Sequence, residues 1–158
     1  MAPSSPTVVV GVDGSRESVD ALRWAIGYAG CAGGSVRAVT AWHRQMDPGY
    51  YGGMAGGYAG YPPIDPRLAA DSATATLAAV VHDAAGEKPA VSIQQRVVEG
   101  HPAGVLIDEA RSADLLVVGA RGHSAITNLL IGSVSTHCIH HAACPVVVVR
   151  HGATTTGP

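Results

Sequence analysis

Two glycines three positions apart, Gly119 and Gly122, are followed after nine intervening residues by Gly132 and Ser133. A short apolar run, Leu115 to Val118, precedes them, and a helical segment begins at Gly132 and Ser133. A glycine lacks Cβ, so backbone N–H groups beside it can come close to a ligand. The start of a helix adds up to four N–H groups without intrahelical partners and a partial positive charge. Both features suit an anion, and phosphate is the natural reading. Two better-known phosphate loops do not apply. A Walker A loop needs four residues between its glycines and then Gly-Lys-[Ser/Thr], whereas here only two residues intervene and no lysine follows Gly132; the G-x-G-x-x-G pattern is also missing. The other reading of G-x-x-G, nine residues, G-S is a tight strand-to-helix turn with Ser133 as an ordinary helix cap.

The Arg121-Gly122 pair, the run Gly132-Ser133-Val134-Ser135, Cys144-Pro145 before a valine strand, and Val10-Gly11-Val12-Asp13-Gly14-Ser15 near the start together resemble the ATP-binding signature of the universal stress protein family. The likeness covers most of the chain. It implies ATP as ligand, with Asp13 and Ala41 at the adenosine half and Gly119, Gly122, Gly132 and Ser133 at the phosphates. Gly11, Val12, Arg121, Val134 and Ser135 complete the implied binding set. The family often has proline two residues before the aspartate, where this chain has Gly11. No pair of carboxylates dedicated to Mg²⁺ accompanies the glycine segment, although Asp13 could serve that ion together with phosphate oxygens. Asp13 also has a purely local reading, as a cap for the helix after it.

Other reactive side chains point to less. His137, His140 and His141 crowd one helix, and His137 and His141 have the i, i+4 spacing of a metal-binding pair, but there is no H-E-x-x-H. Taking Val134, Cys138, Ile139 and Ala142 as the apolar face turns these histidines to solvent, so no metal site is assigned. His101 reads as a residue at a helix N-terminus. Ser15 and Ser133 lack a G-x-S-x-G elbow, and no cysteine stands beside an evident base, so no catalytic residue is assigned. Cys31, Cys138 and Cys144 are odd in number and form no C-x-x-C pair, which suggests reduced core thiols.

Positioning these residues requires a compact scaffold. The 158 residues suit one domain over 1–158, and 47% apolar against 14% charged content belongs to a globular chain whose core, without any Phe, is built from Val, Leu, Ile and Ala. A net charge of −2 and a pI near 6.4 offer no general attraction to nucleic acid or an anionic membrane. The N-terminal MAPSSPTVVV has neither a basic region nor a long apolar one, which suggests a cytoplasmic location.

Along the chain, Thr7 to Val12 reads as a buried strand, and Val19, Leu22, Ala25, Ile26 and Ala29 mark a helix that ends at Gly33-Gly34. Ser35 to Trp42 alternates as a second strand. Residues 43–63 are rich in Gly, Tyr and Pro without period and carry four of the five tyrosines; they read either as a functional lid or as a solvated insertion. A helix over Asp65 to Ala85, a strand over Val91 to Glu99 and a helix opened by Pro102 follow. After the glycine segment come a helix from Gly132 to Ala142, a strand from Pro145 to Arg150 and a loose tail over 151–158.

Strands alternating with helices give a three-layer α/β/α sandwich with a mostly parallel sheet. The resemblance implies the strand order 3-2-1-4-5, a Rossmann-like arrangement of the adenine nucleotide alpha-hydrolase kind. In that order Asp13-Gly14-Ser15 and Gly119 to Gly122 meet at the switch point, where open α/β sheets bind ligands. The last strand, with Val146 to Val149 at its centre, lies at a sheet edge, so a homodimer through it is expected. The leading functional expectation is a nucleotide-dependent regulator in stress response, with slow or absent ATP hydrolysis and an unspecified protein partner. A nucleotide-independent dimeric adaptor and an adenine-nucleotide-using enzyme are the alternatives.

Overall fold

The computed structural model describes residues 4–43, 65–122 and 130–152. The tyrosine-rich loop and most of the C-terminal tail lie outside the described residues, as do residues 123–129 of the spacing between Gly122 and Gly132. Five strands, β1 (Thr7–Gly11), β2 (Ser35–Trp42), β3 (Ile93–Glu99), β4 (Leu115–Gly119) and β5 (Val146–Val149), form one sheet in the order β3-β2-β1-β4-β5. Every neighbouring pair is parallel. The connecting helices are α1 (Arg16–Ala32), α2 (Pro66–Ala85), α3 (Pro102–Ala110) and α4 (Ser133–His141). This is the α/β/α sandwich that the strand and helix pattern implies.

The central strands are apolar throughout because helices cover both of their faces. Val8, Val10 and Val117 pack with Leu22, Ala25 and Leu77 from α1 and α2 on one side. Val9, Leu116 and Val118 pack with Leu106 and Cys138 from α3 and α4 on the other. Alanines at positions 21, 25 and 29 of α1 are fully buried, so small side chains let this helix lie close against the sheet. Removing Leu22 or Leu116, both without exposed surface, would cost about 2–5 kcal/mol through lost transfer energy and the cavity left behind.

Helix ends follow the local sequence. Ser15 Oγ accepts a hydrogen bond from Ser18 N (3.2 Å) to cap α1, and Gly33 closes that helix in the left-handed conformation. Asp65 accepts from Arg67 N (2.9 Å) just ahead of Pro66 in the first turn of α2. His101 stands at the N-cap of α3 without a side-chain capping bond.

Some expectations are corrected. β1 ends at Gly11, although Val12 N still donates to Val39 O (2.9 Å) and stays tied to the sheet. β3 begins at Ile93: Val91 is buried in the core but precedes the ladder. On α4 the inward face is Ser135 and Cys138, flanked by Val134 and Ala142, while Ile139 is 46% exposed. A polar Ser135 points inward because it meets carbonyl groups there. Of the three cysteines only Cys138 is fully buried; Cys31 is exposed and Cys144 is intermediate. The start of the tail is anchored rather than loose, since His151 Nδ1 lies 2.6 Å from Asp20 Oδ2.

Candidate functional site

The chain's progress across the sheet reverses between β1 and β4, and a cavity of about 370 Å³ opens beyond their C-terminal ends. Every residue of the sequence-derived set lines it: Gly11, Val12 and Asp13 from the end of β1, Ala41 from β2, Gly119, Arg121 and Gly122 from the end of β4, and Gly132, Ser133, Val134 and Ser135 from the start of α4. Ser15, Ser18, Val39, Pro102, Leu106 and Val118 complete the wall. Val39 could have been found by strand period, two residues before Ala41 on the same face. Pro102 and Leu106 could not, because they reach the cavity only once α3 is laid across the sheet.

Close backbone approaches shape the polar end. A Cβ on Gly119 would lie 2.8 Å from Glu17 Cβ and 2.9 Å from the Glu17 carbonyl carbon, so the end of β4 abuts the first turn of α1. At Gly122 a Cβ would lie 2.5 Å from Asp13 Oδ2. Asp13 therefore reaches across the mouth while its other oxygen accepts from Ser15 N (2.9 Å), so it caps the turn as well as facing the glycine segment. That segment is fastened on two further sides. Ala120 N donates to Val149 O (2.7 Å), Gly132 N donates to Ala120 O (2.6 Å), and Ser135 Oγ donates to Gly119 O (2.6 Å) and lies 3.3 Å from Ala120 O. Ser133, in contrast, is exposed at the first turn of α4, where N–H groups have no intrahelical acceptor.

The rest of the wall is largely apolar, with Val39, Ala41, Pro102, Leu106 and Val118. Leu106 packs directly on Gly11: a Cβ there would lie 2.8 Å from Leu106 Cδ1. The departure from proline at position 11 is matched by a leucine that fills the space a ring would need. A cavity with an apolar wall, bordered by a glycine segment and a helix start that offer backbone donors, fits a flat heterocycle joined to an anion.

The histidines of α4 stand apart from this cavity. His137 and His141 stack with ring centroids 4.3 Å apart, and His141 Nδ1 lies 3.0 Å from His137 O. Among the described residues no group of three or more His, Cys, Asp or Glu side chains is gathered closely enough to hold a metal ion. Beneath α4, burial pushes the Cys138 thiol up to about 11 from 9.0, and burial is also the main cause that raises Cys144.

A parallel α/β sheet with a ligand-sized cavity at its switch point, lined by glycines and a helix N-terminus, defines the class of open α/β binding folds. Residues 5–150 match the family model described as the universal stress protein family, and the chain belongs to that family. A universal stress protein of Mycolicibacterium smegmatis is 36% identical over 145 residues, covering 92% of this chain and 48% of that protein. The chain spans about half the length of the curated relatives it matches. Among solved structures, the universal stress protein UspA of Lactobacillus plantarum superposes with a TM-score of 0.72 at 21% identity, covering 94% of this chain and 99% of that one. A universal stress protein solved in complex with cAMP matches with a TM-score of 0.57 at 28% identity, over 94% and 98% of the two chains.

Proposed function

We propose that this chain binds ATP and acts as a nucleotide-dependent regulator in stress response, with slow or absent hydrolysis. The observation that carries the reading is the convergence of the glycine segment, the N-terminus of α4 and Asp13 on one cavity that also has an apolar wall. The cAMP complex of the 28% identical relative supports an adenine nucleotide as the ligand class. In this reading Ala41, Val39 and Leu106 enclose the base and Asp13 accepts from ribose hydroxyls. The phosphates lie along Gly119 to Gly122 and the first N–H groups of α4, with Ser133 as a hydroxyl donor. Mg²⁺ would have Asp13 and phosphate oxygens as its ligands, a sparse protein contribution of the kind this ion accepts.

Two further parts of the proposal concern state and place. Among the described residues β5 is hydrogen-bonded on one side only, to β4, and Val146 to Val149 are all partly exposed along its length. A second copy pairing with this edge would make a two-fold dimer. No helix among the described residues is long and apolar enough to cross a membrane, and a cytoplasmic location is proposed.

The test is nucleotide binding to the purified chain. Mass spectrometry of the protein as isolated identifies any nucleotide that co-purifies. With nucleotide removed, ATP at about 100 times its dissociation constant adds roughly 2.7 kcal/mol, which raises Tm by roughly 5–10 °C for a chain of this size. An unmoved melting curve with nucleotide-free protein would favour the nucleotide-independent adaptor.

A further inference from the structure

Arg121 is the one cationic side chain among the described residues lining the cavity, and its charge is already engaged. Its Nη2 lies 3.4 Å from Oε1 of Glu17, which does not itself line the cavity. Glu17 is only 15% exposed and sits in the first turn of α1, where a carboxylate is favoured by the unpaired N–H groups at the helix start; Arg121 is 40% exposed at the mouth. The tight fit of Gly119 against the backbone and Cβ of Glu17 sets this residue beside the end of β4. An anion entering beside Arg121 must therefore compete with one that is already in place.

We propose that Glu17 and Arg121 form a charge gate that makes the site selective for the number of phosphates: Glu17 holds Arg121 against α1, and a polyphosphate chain draws the guanidinium away. This inference rests on the proposed adenine-nucleotide site. The contacts at Ala41, Val39 and Leu106 are the same for adenosine as for ATP, so the gate acts only on the charged end. A single phosphate seated at the N-terminus of α4 satisfies its oxygens with backbone N–H groups and leaves the ion pair closed. Two or three phosphates reach along the glycine segment to Arg121 and carry enough charge to displace a monodentate, partly solvated pair. A partly exposed ion pair of this kind is weak, so freeing Arg121 corresponds to about a two- to fivefold gain in affinity.

The experiment is calorimetric titration of adenosine, AMP, ADP and ATP into the wild-type chain, Glu17→Gln and Glu17→Asp. Glu17→Asp keeps the negative charge but shortens the side chain by one methylene, which draws the carboxylate back from Arg121 and weakens the 3.4 Å pair. Both variants are expected to bind ATP about two- to fivefold more tightly than wild type, with a smaller gain for AMP and none for adenosine. If Glu17→Asp matches wild type while Glu17→Gln gains, simple through-space repulsion accounts for the effect and the gate is wrong. Weaker ATP binding in both variants would mean that Glu17 presents the arginine to phosphate, which also overturns it. If the wild-type chain binds none of the four ligands, it is the nucleotide site that fails, separately from the gate.

Discussion

Asp13 and Gly122 meet across the mouth of the cavity, with the carboxylate so near that a Cβ at position 122 would fall 2.5 Å from Oδ2. One residue lies just after β1 and the other just after β4, so this approach links the two halves of the sheet at the switch point. Gly122→Val should push Asp13 aside and fill the proposed phosphate path. ATP affinity is expected to fall at least about tenfold, roughly 1.4 kcal/mol, with little change in Tm because both groups are near the surface. Titration together with a melting curve checks it; unchanged affinity would place the ligand elsewhere.

Ser135 acts on the glycine segment from below. Its hydroxyl donates to Gly119 O at 2.6 Å and stands within reach of Ala120 O, and it is one of the few buried polar side chains among the described residues. Ser135→Ala removes the donor to Gly119 O, while Ala120 O keeps Gly132 N, and should destabilise the fold by about 1–3 kcal/mol. Ser133→Ala, at an exposed position, should leave Tm within about 0.5 kcal/mol of wild type while weakening ATP binding. Denaturant curves and titrations on both variants separate the two roles. Equal stability losses would show that they are not distinct.

The open edge of β5 carries four consecutive valines and no charge before Arg150. Sedimentation equilibrium at micromolar concentration should give a dimer mass, and Val147→Lys should shift it to monomer. Circular dichroism on the variant verifies that the strand is still folded. A monomer mass for the wild-type chain would refute pairing through β5.

Cys138 links the buried face of α4 to pH. Its folded pKa, pushed up to about 11 by burial, lies above the 9.0 of an ordinary thiol, to which it returns once the chain unfolds. The unfolded chain then sheds the thiol proton first, so this contribution is fully present below about pH 9 and is lost as pH rises towards 11. Urea midpoints measured from pH 8 to 10.5 should fall for wild type and fall less for Cys138→Ala, whose overall stability is lower. Thiol titration of the native protein should find Cys31, which is exposed, reacting well before Cys138.

Much of the architecture could be read from local pattern. The unbroken apolar runs of β1 and β4 required burial on both faces, the spacing of Leu22, Ala25 and Ala29 defined the inward stripe of α1, and Gly33 and Asp65 marked helix ends. Such signals are legible because they depend on backbone period and capping chemistry within a few residues of one another. The glycine segment was legible too, since the spacing of small residues around a strand end and a helix start is itself the constraint that a close backbone approach imposes, whereas Asp13 and Ala41 were implied by the resemblance to the family.

Contacts across the sheet were decided only by tertiary structure. Nothing in the order of residues says that Leu106 of α3 rests on Gly11, that Glu17 of α1 takes hold of Arg121, or that the hydroxyl of Ser135 turns inward to two carbonyls while Ile139 is left to solvent. Each depends on where one helix lies against strands distant in sequence, at a precision of about an ångström. Periodicity along the chain specifies which face of a helix is apolar, whereas the depth at which each side chain meets its neighbour is set by the packing of the whole sheet.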